Sequence, residues 1–437
     1  MIIPLVAFVY IVPAIGVILT SFKLDAEIAE SGLWSIPRII HFDNYKEIWV
    51  DANVRTYMKN SALVTIPATA ISIRIRAPEG TANSTTQGRP AGAAAATARA
   101  KLLPGLIKRA KDNLKTPPQD YTQSAIDQMP AIIDFYRHEA ARLSGGNGAL
   151  AAETGKVAAA LEDYLRYLRS ELLPKSTGNF RMGEAHLRTL RMTTQGHLPI
   201  LEEVVQRSLA DFNNIRREMF LVCIPFFKIM YPTVDIEQLG RTKGEEATRN
   251  TVIQGVLDKI KIDHVGRDEF TGRIGKAVTD IRAFIKQHNL ITMPDEAVAI
   301  EPMPGYWANG SWTILQGPGA FEAAGPYTLY VRPIPADWSE EDAVSFLEEH
   351  NNYYLDFMAL QKLCPGAYVP AYFSRRDPSV IKRMFPNQGL LKGWPIFLED
   401  MFVESGYGNY DLRMRLSQLK LLLKTVIDFQ MDINVHE

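Results

Sequence analysis

From about residue 98 onward, apolar residues recur at spacings of three and four, the mark of helices that bury one stripe and leave charges on the other side. Val157, Leu161, Tyr164, Leu165, Leu168 and Leu172 form the clearest such stripe. Comparable stripes run around Ile132 to Tyr136, from Leu187 to Met219 with breaks expected at Gly196 and Pro199, from Thr251 to Ile262, and from Leu412 to Phe429. The body therefore reads as mainly α. Residues 303–335 depart from this pattern. They are dense in Gly, Pro and aromatic residues and contain Tyr327-Thr328-Leu329-Tyr330-Val331, which predicts an irregular segment with one short strand. Ser339, followed by Glu340, Glu341 and Asp342, predicts a helix start, with a capping hydroxyl and acids in the first turn. That helix is expected to lead on toward Gln361.

The amino terminus has a different pattern. Ile2 to Phe22 is apolar apart from Tyr10, Thr20 and Ser21, and the first charge is Lys23. A bilayer crossing needs about 20 such residues, so residues 2–22 predict a membrane-spanning helix in contact with lipid. A secretory signal would need a positive start that Met1 does not provide; a signal-like segment and a buried helix are the other readings. Location follows: a bacterial inner membrane, or export if residues 2–22 act as a signal. The next apolar run, Ala62 to Ile73, stops at Arg74 and Arg76 and is too short to cross. Residues 74–97 are rich in small and polar residues and then alanine, the composition of a junction. Three segments result: 1–73, 74–97 and 98–437.

Composition narrows the function classes. With 437 residues, 46% of them hydrophobic, the chain can bury sizeable cores. A formal net charge of −1 gives no concentrated positive surface for phosphates, so no nucleic-acid partner is expected. Cys223 and Cys364 form neither a disulfide framework nor a zinc module. Gly317-Pro318-Gly319 runs into Ala320-Phe321 rather than the Lys-Ser of a phosphate loop, so it reads as a turn. Ser311, Ser345 and Ser405 lie in no nucleophile elbow. Tyr306, Trp307, Trp312, Phe321, Tyr327 and Tyr330 read as packing, or as the lining of a groove for a peptide or small molecule. His186 and His197 read as ordinary surface or core histidines.

Two resemblances sharpen this picture. Pro13, Leu19-Thr20-Ser21-Phe22-Lys23, Phe42-Asp43-Asn44-Tyr45 before Trp49, and Asn60-Ser61 come in an order that resembles the start of the permease subunit of sugar ABC importers. The body carries Gly178-Asn179-Phe180-Arg181-Met182-Gly183, Gly317-Pro318-Gly319-Ala320-Phe321-Glu322, Pro335-Ala336-Asp337-Trp338, His350-Asn351, Gly393-Trp394, Ser405-Gly406-Tyr407-Gly408, and Asp432 with His436. With these it resembles the bacterial domain-of-unknown-function family 885, zinc-peptidase-like and largely helical. That resemblance implies a His-Glu-x-x-Pro-Gly-His heptad, two imidazoles and a later carboxylate on zinc, and a Glu acting on the metal-bound water. It also implies an Arg at the position of Asp428 and further chain beyond Glu437.

The aligned heptad is Gln361-Lys362-Leu363-Cys364-Pro365-Gly366-Ala367. Positions six apart on an ideal helix point about 240° from each other, so Pro365 and Gly366 are expected to break the helix there. The ligands are gone. Gln361 offers a weak neutral oxygen, Ala367 offers nothing, and Lys392 stands where the resemblance implies a carboxylate. Lys362 replaces the base with an ammonium, which accepts a proton only if its pKa is strongly lowered. Zinc is therefore expected to be lost, with no other cofactor. A displaced ligand set from His350, Cys364, Glu399, Asp400, Asp432 and His436 fits no known spacing. The pocket is expected around His350, Cys364, Pro365, Gly366, Trp394, Glu399, Asp432 and His436, with Glu399 or Asp400 neutralising Lys392 or Lys362.

These observations predict a helical, zincin-like body with one short strand, behind an amino-terminal membrane helix. Its expected function is that of a catalytically impaired zinc-peptidase-like protein, leaning away from an enzyme, fused to a permease fragment. The alternatives are a membrane-anchored binding module, or a chimeric or decayed reading frame.

Overall fold

The computed structural model describes residues 88–140, 148–195, 201–294, 296, 298–307, 311–319, 325–384 and 386–436. The chain divides into two compact units, Met1–Phe180 and Arg181–Glu437. In the first, three helices are described: α1 (Gly88–Asn113), α2 (Gln119–Asp134) and α3 (Gly148–Tyr167). Ala100, Leu103, Ile107 and Ala110 make the buried stripe of α1, which packs along α3. The stripe read from Val157 to Leu172 is buried as its spacing predicts, except that Leu165 stays half-buried. Both α2 and α3 widen into a π-helical turn at their ends, over Phe135–Glu139 and Leu168–Leu172.

The second unit opens with α4 (Glu184–Gln195), α5 (Leu201–Met230), α6 (Ile236–Lys243), α7 (Glu245–Ile260) and α8 (Phe270–His288). A three-stranded sheet follows: β1 (Val298–Pro302), β2 (Thr313–Gln316) and β3 (Tyr327–Val331). Its order is β1-β3-β2, with β1 parallel to β3 and β2 antiparallel to it. Val298 faces Tyr327, and Thr313 faces Val331. The rest is helical: α9 (Glu340–Glu349), α10 (Asn352–Lys362), α11 (Tyr368–Arg375), α12 (Val380–Met384), α13 (Gln388–Glu404) and α14 (Leu412–His436).

Two cores hold this unit. One joins Ile274 and Ile281 of α8, Leu329 and Val331 of β3, Leu355 and Phe357 of α10, and Leu398 and Phe402 of α13. The other joins Met219 and Cys223 of α5, Val252 and Val256 of α7, and Leu416 and Leu419 of α14. Helix α10 buries Tyr353, Leu355, Phe357, Met358, Ala359 and Leu360, so it is apolar on most of its circumference, as a central helix must be. Each such large side chain contributes about 1.5–3 kcal/mol by leaving water.

Three expectations need correction or limits. The sheet has three strands, not one. Only β3 alternates buried Tyr327, Leu329 and Val331 with half-buried neighbours. β1 is five residues ending on Pro302, tolerated because it lies at the sheet edge, and β2 is four residues without alternation. The helix begun at Ser339 does not run on to Gln361. It stops at Glu349, and Asn351 starts a new helix by accepting the Tyr354 amide at 3.1 Å. The membrane helix expected over 2–22 lies outside the described residues. No described helix is long and apolar enough to cross a membrane, so the fold class is corrected to mainly α with a small sheet and no membrane helix assigned.

Ser339 itself behaves as the sequence predicts, its hydroxyl accepting the Asp342 amide at 3.1 Å. Ser339→Ala is expected to cost about 1 kcal/mol, read as a lower urea midpoint at unchanged slope.

Candidate functional site

Helix α10 ends where Pro365 and Gly366 make continuation impossible, and α11 restarts at Tyr368. The backbone between them is nonetheless satisfied. Cys364 N–H donates to Ala359 O at 3.0 Å, Gly366 N–H to Leu360 O at 2.9 Å and Tyr368 N–H to Leu363 O at 2.8 Å. Leu363, Cys364, Pro365 and Gly366 are all buried. Gly366 is required by close approach, because a Cβ there would run into the carbonyl oxygens of Gln361 and Leu360.

This turn sets the direction of Gln361, half-buried in the last turn of α10. Its Nε2 donates to Oε1 of Glu399, which is 2% exposed on the facing helix α13. Burial pushes the Glu399 carboxyl up to about 7, against the lowering effects of the Gln361 hydrogen bond and Lys362. Lys362 is the exposed last residue of α10. Partial burial of its ammonium, with Lys392 nearby, pulls its pKa below the usual lysine range, although the residue as a whole stays exposed. Lys392 is exposed on α13, seven residues before Glu399.

The remaining sequence-derived positions divide. Ala367 caps α11 and carries no donor atom. Cys364 is fully buried and hydrogen-bonded to Arg282 of α8; burial pushes its thiol up to about 11. His350 caps the end of α9, with Nδ1 at 2.8 Å from Phe346 O and its ring stacked on Phe346 at 3.9 Å. Burial lowers its pKa. Tyr354 lies edge-on to His350 at 4.7 Å, and burial, then the charges of Glu349 and Glu399, raise its pKa. Trp394 stacks on Phe397 at 5.8 Å, and its indole Nε1 is buried without a partner. Asp432 and His436 pair with each other at 3.7 Å, and His436 Nδ1 accepts the Met182 amide at 3.3 Å. Gln361, Lys362, Lys392 and Glu399 are thus brought together, whereas Cys364, His350 and the Asp432–His436 pair each answer to other partners.

Asp400 does not neutralise either lysine: it binds Arg415 at 3.2 Å and the Gln418 amide at 2.5 Å. The aromatic residues read as packing or as a groove lining make ring contacts, Trp312 on Phe346 at 4.2 Å, Trp307 on Tyr330 at 4.8 Å and Tyr327 on Tyr368 at 4.9 Å. Phe321, His197 and the Tyr306 side chain lie outside the described residues. A polar cluster on the far side of α10 went unread in the sequence. There Arg273 of α8 pairs with Asp356 at 2.9 Å and with Asn352 Oδ1 at 2.9 Å. Burial raises the Asp356 pKa against that guanidinium. A lone acid within the apolar run of α10 was the available signal.

The donor set around the heptad does not fit zinc. A hydrolytic site needs three N or O ligands and an open position for water. Here one carboxylate, Glu399, is tied to the Gln361 amide with the Lys362 ammonium nearby. Among the described residues, no three His, Cys, Asp or Glu side chains are placed to hold a metal ion.

The fold has solved counterparts. A candidate lipoprotein of unknown function from Shewanella oneidensis matches with a TM-score of 0.65 at 20% identity, over 99% of this chain and 76% of that one. A candidate lipoprotein from Colwellia psychrerythraea matches with a TM-score of 0.56 at 14% identity, over 81% of this chain and 62% of that one. At such identities the likeness is one of fold. A 60-residue stretch, 14% of the chain, is 40% identical to the diacetylchitobiose uptake system permease protein NgcG of Streptomyces coelicolor. That stretch spans 20% of the permease's own length. The model of the family described as bacterial protein of unknown function, DUF885, matches residues 40–437, and the chain belongs to that family.

Proposed function

We propose that this chain is a DUF885 protein whose hydrolytic centre has been lost, a catalytically impaired zinc-peptidase-like domain that binds rather than cleaves. The observation that carries this reading is the hydrogen bond from Gln361 to the buried Glu399, with Lys362 beside that carboxyl. An amide and a carboxylate that satisfy each other leave neither free to activate water. Lys362 is a poor general base, because its nitrogen must first give up a proton before it can take one. Its ammonium group also opposes a divalent cation at short range.

The purified 437-residue chain is expected to hold no stoichiometric zinc by elemental analysis and to leave peptide substrates intact. One equivalent of tightly held zinc, or peptide cleavage that a chelator abolishes, sinks the reading.

The permease-like stretch favours a second reading, in which the frame joins a permease start to a DUF885 body. Amplification of genomic DNA across the codons for Ile73 to Lys101 tests it, since a contiguous product excludes an assembly artefact. The names of the solved neighbours support an exported or membrane-associated location, which cell fractionation with protease accessibility would check.

A further inference from the structure

Helices α11, α12 and α13 turn large apolar side chains toward solvent. Phe373, Val380, Ile381, Met384, Leu390 and Phe397 are all exposed, Ile381 by 71%, Leu390 by 58% and Phe397 by 56%. On α13, Leu390 and Phe397 are seven positions apart and share one side at about 100° per residue. Leu398, Glu399 and Phe402 bury the other side, so α13 is apolar where it has no core to meet. Trp394 lies within the outer stripe and stacks on Phe397 at 5.8 Å. The three helices stay together: Ser374 Oγ of α11 donates to Lys382 O of α12 at 3.4 Å, and three residues separate α12 from α13. Among the described residues from Phe373 to Phe397, every exposed charged side chain is basic, namely Arg376, Lys382 and Lys392. The one acid there, Asp377, is half-buried and reaches Lys382 only at 3.8 Å, while the Lys382 side chain is 73% exposed. Helix α5 offers the contrast. Its exposed Leu209, Leu221 and Ile229 are well separated, and Glu202, Glu203, Arg207 and Arg217 present both signs of charge.

We propose that the face formed by α11, α12 and α13 docks on an anionic lipid surface. Apolar side chains edged by bases are the composition of an element that lies in a membrane interface, its apolar groups in the acyl boundary and its cations among the phosphates. Charge chooses the occupant. A second copy of the chain meeting this face through a two-fold axis would bring the same bases against themselves, Lys382 and Arg376 of one copy facing those of the other. A bilayer carrying anionic headgroups complements them instead. Arg376 is also fixed to Glu296 at 2.7 Å and lies over the Tyr372 ring at 3.5 Å, which holds α11 in place beneath the exposed Phe373. Docking of this kind does not depend on whether the centre at Gln361 and Glu399 holds a metal, and it draws on none of residues 2–22.

The test is co-sedimentation of the purified full chain with vesicles of phosphatidylcholine alone, and of phosphatidylcholine with about one third phosphatidylglycerol. Tighter binding to the anionic vesicles, weakened by added salt, is expected. Ile381→Asp and Phe397→Asp are each expected to weaken it about ten-fold, the scale of one large apolar side chain returned to water. Lys382→Glu should weaken binding to the anionic vesicles about five-fold or more, with little change on the neutral ones. Ile229→Asp on α5, also at an exposed apolar position, should bind as the wild type does. All four positions are exposed, so the variants should fold, which far-UV circular dichroism verifies. Absence of binding, equal binding to both vesicle types, or undiminished binding by Ile381→Asp and Phe397→Asp would each overturn the proposal; the last result would assign vesicle binding to another part of the chain. Light scattering without vesicles supplies the remaining arm. A dimer that Ile381→Asp or Phe397→Asp dissociates would make a second copy the occupant of this face and would equally overturn the lipid assignment.

Discussion

Replacing Gly366 by alanine is expected to lower the free energy of unfolding by about 3 kcal/mol, the upper end of the usual cost of overpacking. The added Cβ meets backbone, the carbonyl oxygens of Leu360 and Gln361, rather than the end of a side chain that could swing away. Moving that backbone would also break the 2.9 Å hydrogen bond from Gly366 N–H to Leu360 O, inside a turn whose neighbours Leu363 and Cys364 are fully buried. Gly393 on α13 supplies the control. It is exposed within a helix and a Cβ there meets nothing within 4 Å. Gly393→Ala should therefore be neutral or stabilise by up to about 1 kcal/mol through helix propensity alone. Urea denaturation of the two variants should give opposite signs. A cost below about 1 kcal/mol at Gly366 would mean that the turn can spread to admit a methyl group. Because this turn aims Gln361 at Glu399, the same variant is expected to loosen the pocket before it unfolds the unit.

The helices were legible because their signals are local. The stripe of Val157, Leu161, Tyr164, Leu168 and Leu172 and the cap at Ser339 each state their outcome within a turn or two of chain. Strands β1 and β2 were not legible, since four or five residues without alternation become strands only through the partner they find in β3. At the site, the sequence located the turn of Pro365 and Gly366 but not the pairings across helices. Whether Glu399 would meet a lysine or Gln361 depends on the rotation of α13 against α10, and nothing in either helix alone fixes that. The same holds for Asp400, read as a partner of Lys362 or Lys392 and found with Arg415 and Gln418. Charge pairing is a tertiary property, so residue type gave the chemistry of the pocket while packing chose the partners.

Glu399→Gln is expected to stabilise the protein at neutral and alkaline pH by about 3 kcal/mol, with the gain vanishing in acid. The sign follows from the direction of the shift. The carboxyl titrates near 4.5 in the unfolded chain and is pushed up to about 7 in the folded one, chiefly by burial. The folded state therefore holds the proton more tightly. Stability linked to this group is fully present below about pH 4.5, falls as the pH rises toward 7, and is flat beyond it. Raising a carboxyl from its ordinary value to about 7 corresponds to roughly 3 kcal/mol. Glutamine removes the titration but keeps an oxygen to accept from the Gln361 amide, so the hydrogen bond across α10 and α13 can persist. The measurement is the difference in urea-unfolding free energy between variant and wild type at a series of pH values, which cancels every other titrating group. The two curves should meet in acid and separate steadily between about pH 4.5 and 7. Parallel curves would show that Glu399 is better compensated than its burial implies, with Lys362 as the group near enough to supply the charge. If the curves diverge as expected, a buried acid is being retained at a cost to stability. Such a cost is the usual mark of a group kept for binding rather than for the fold.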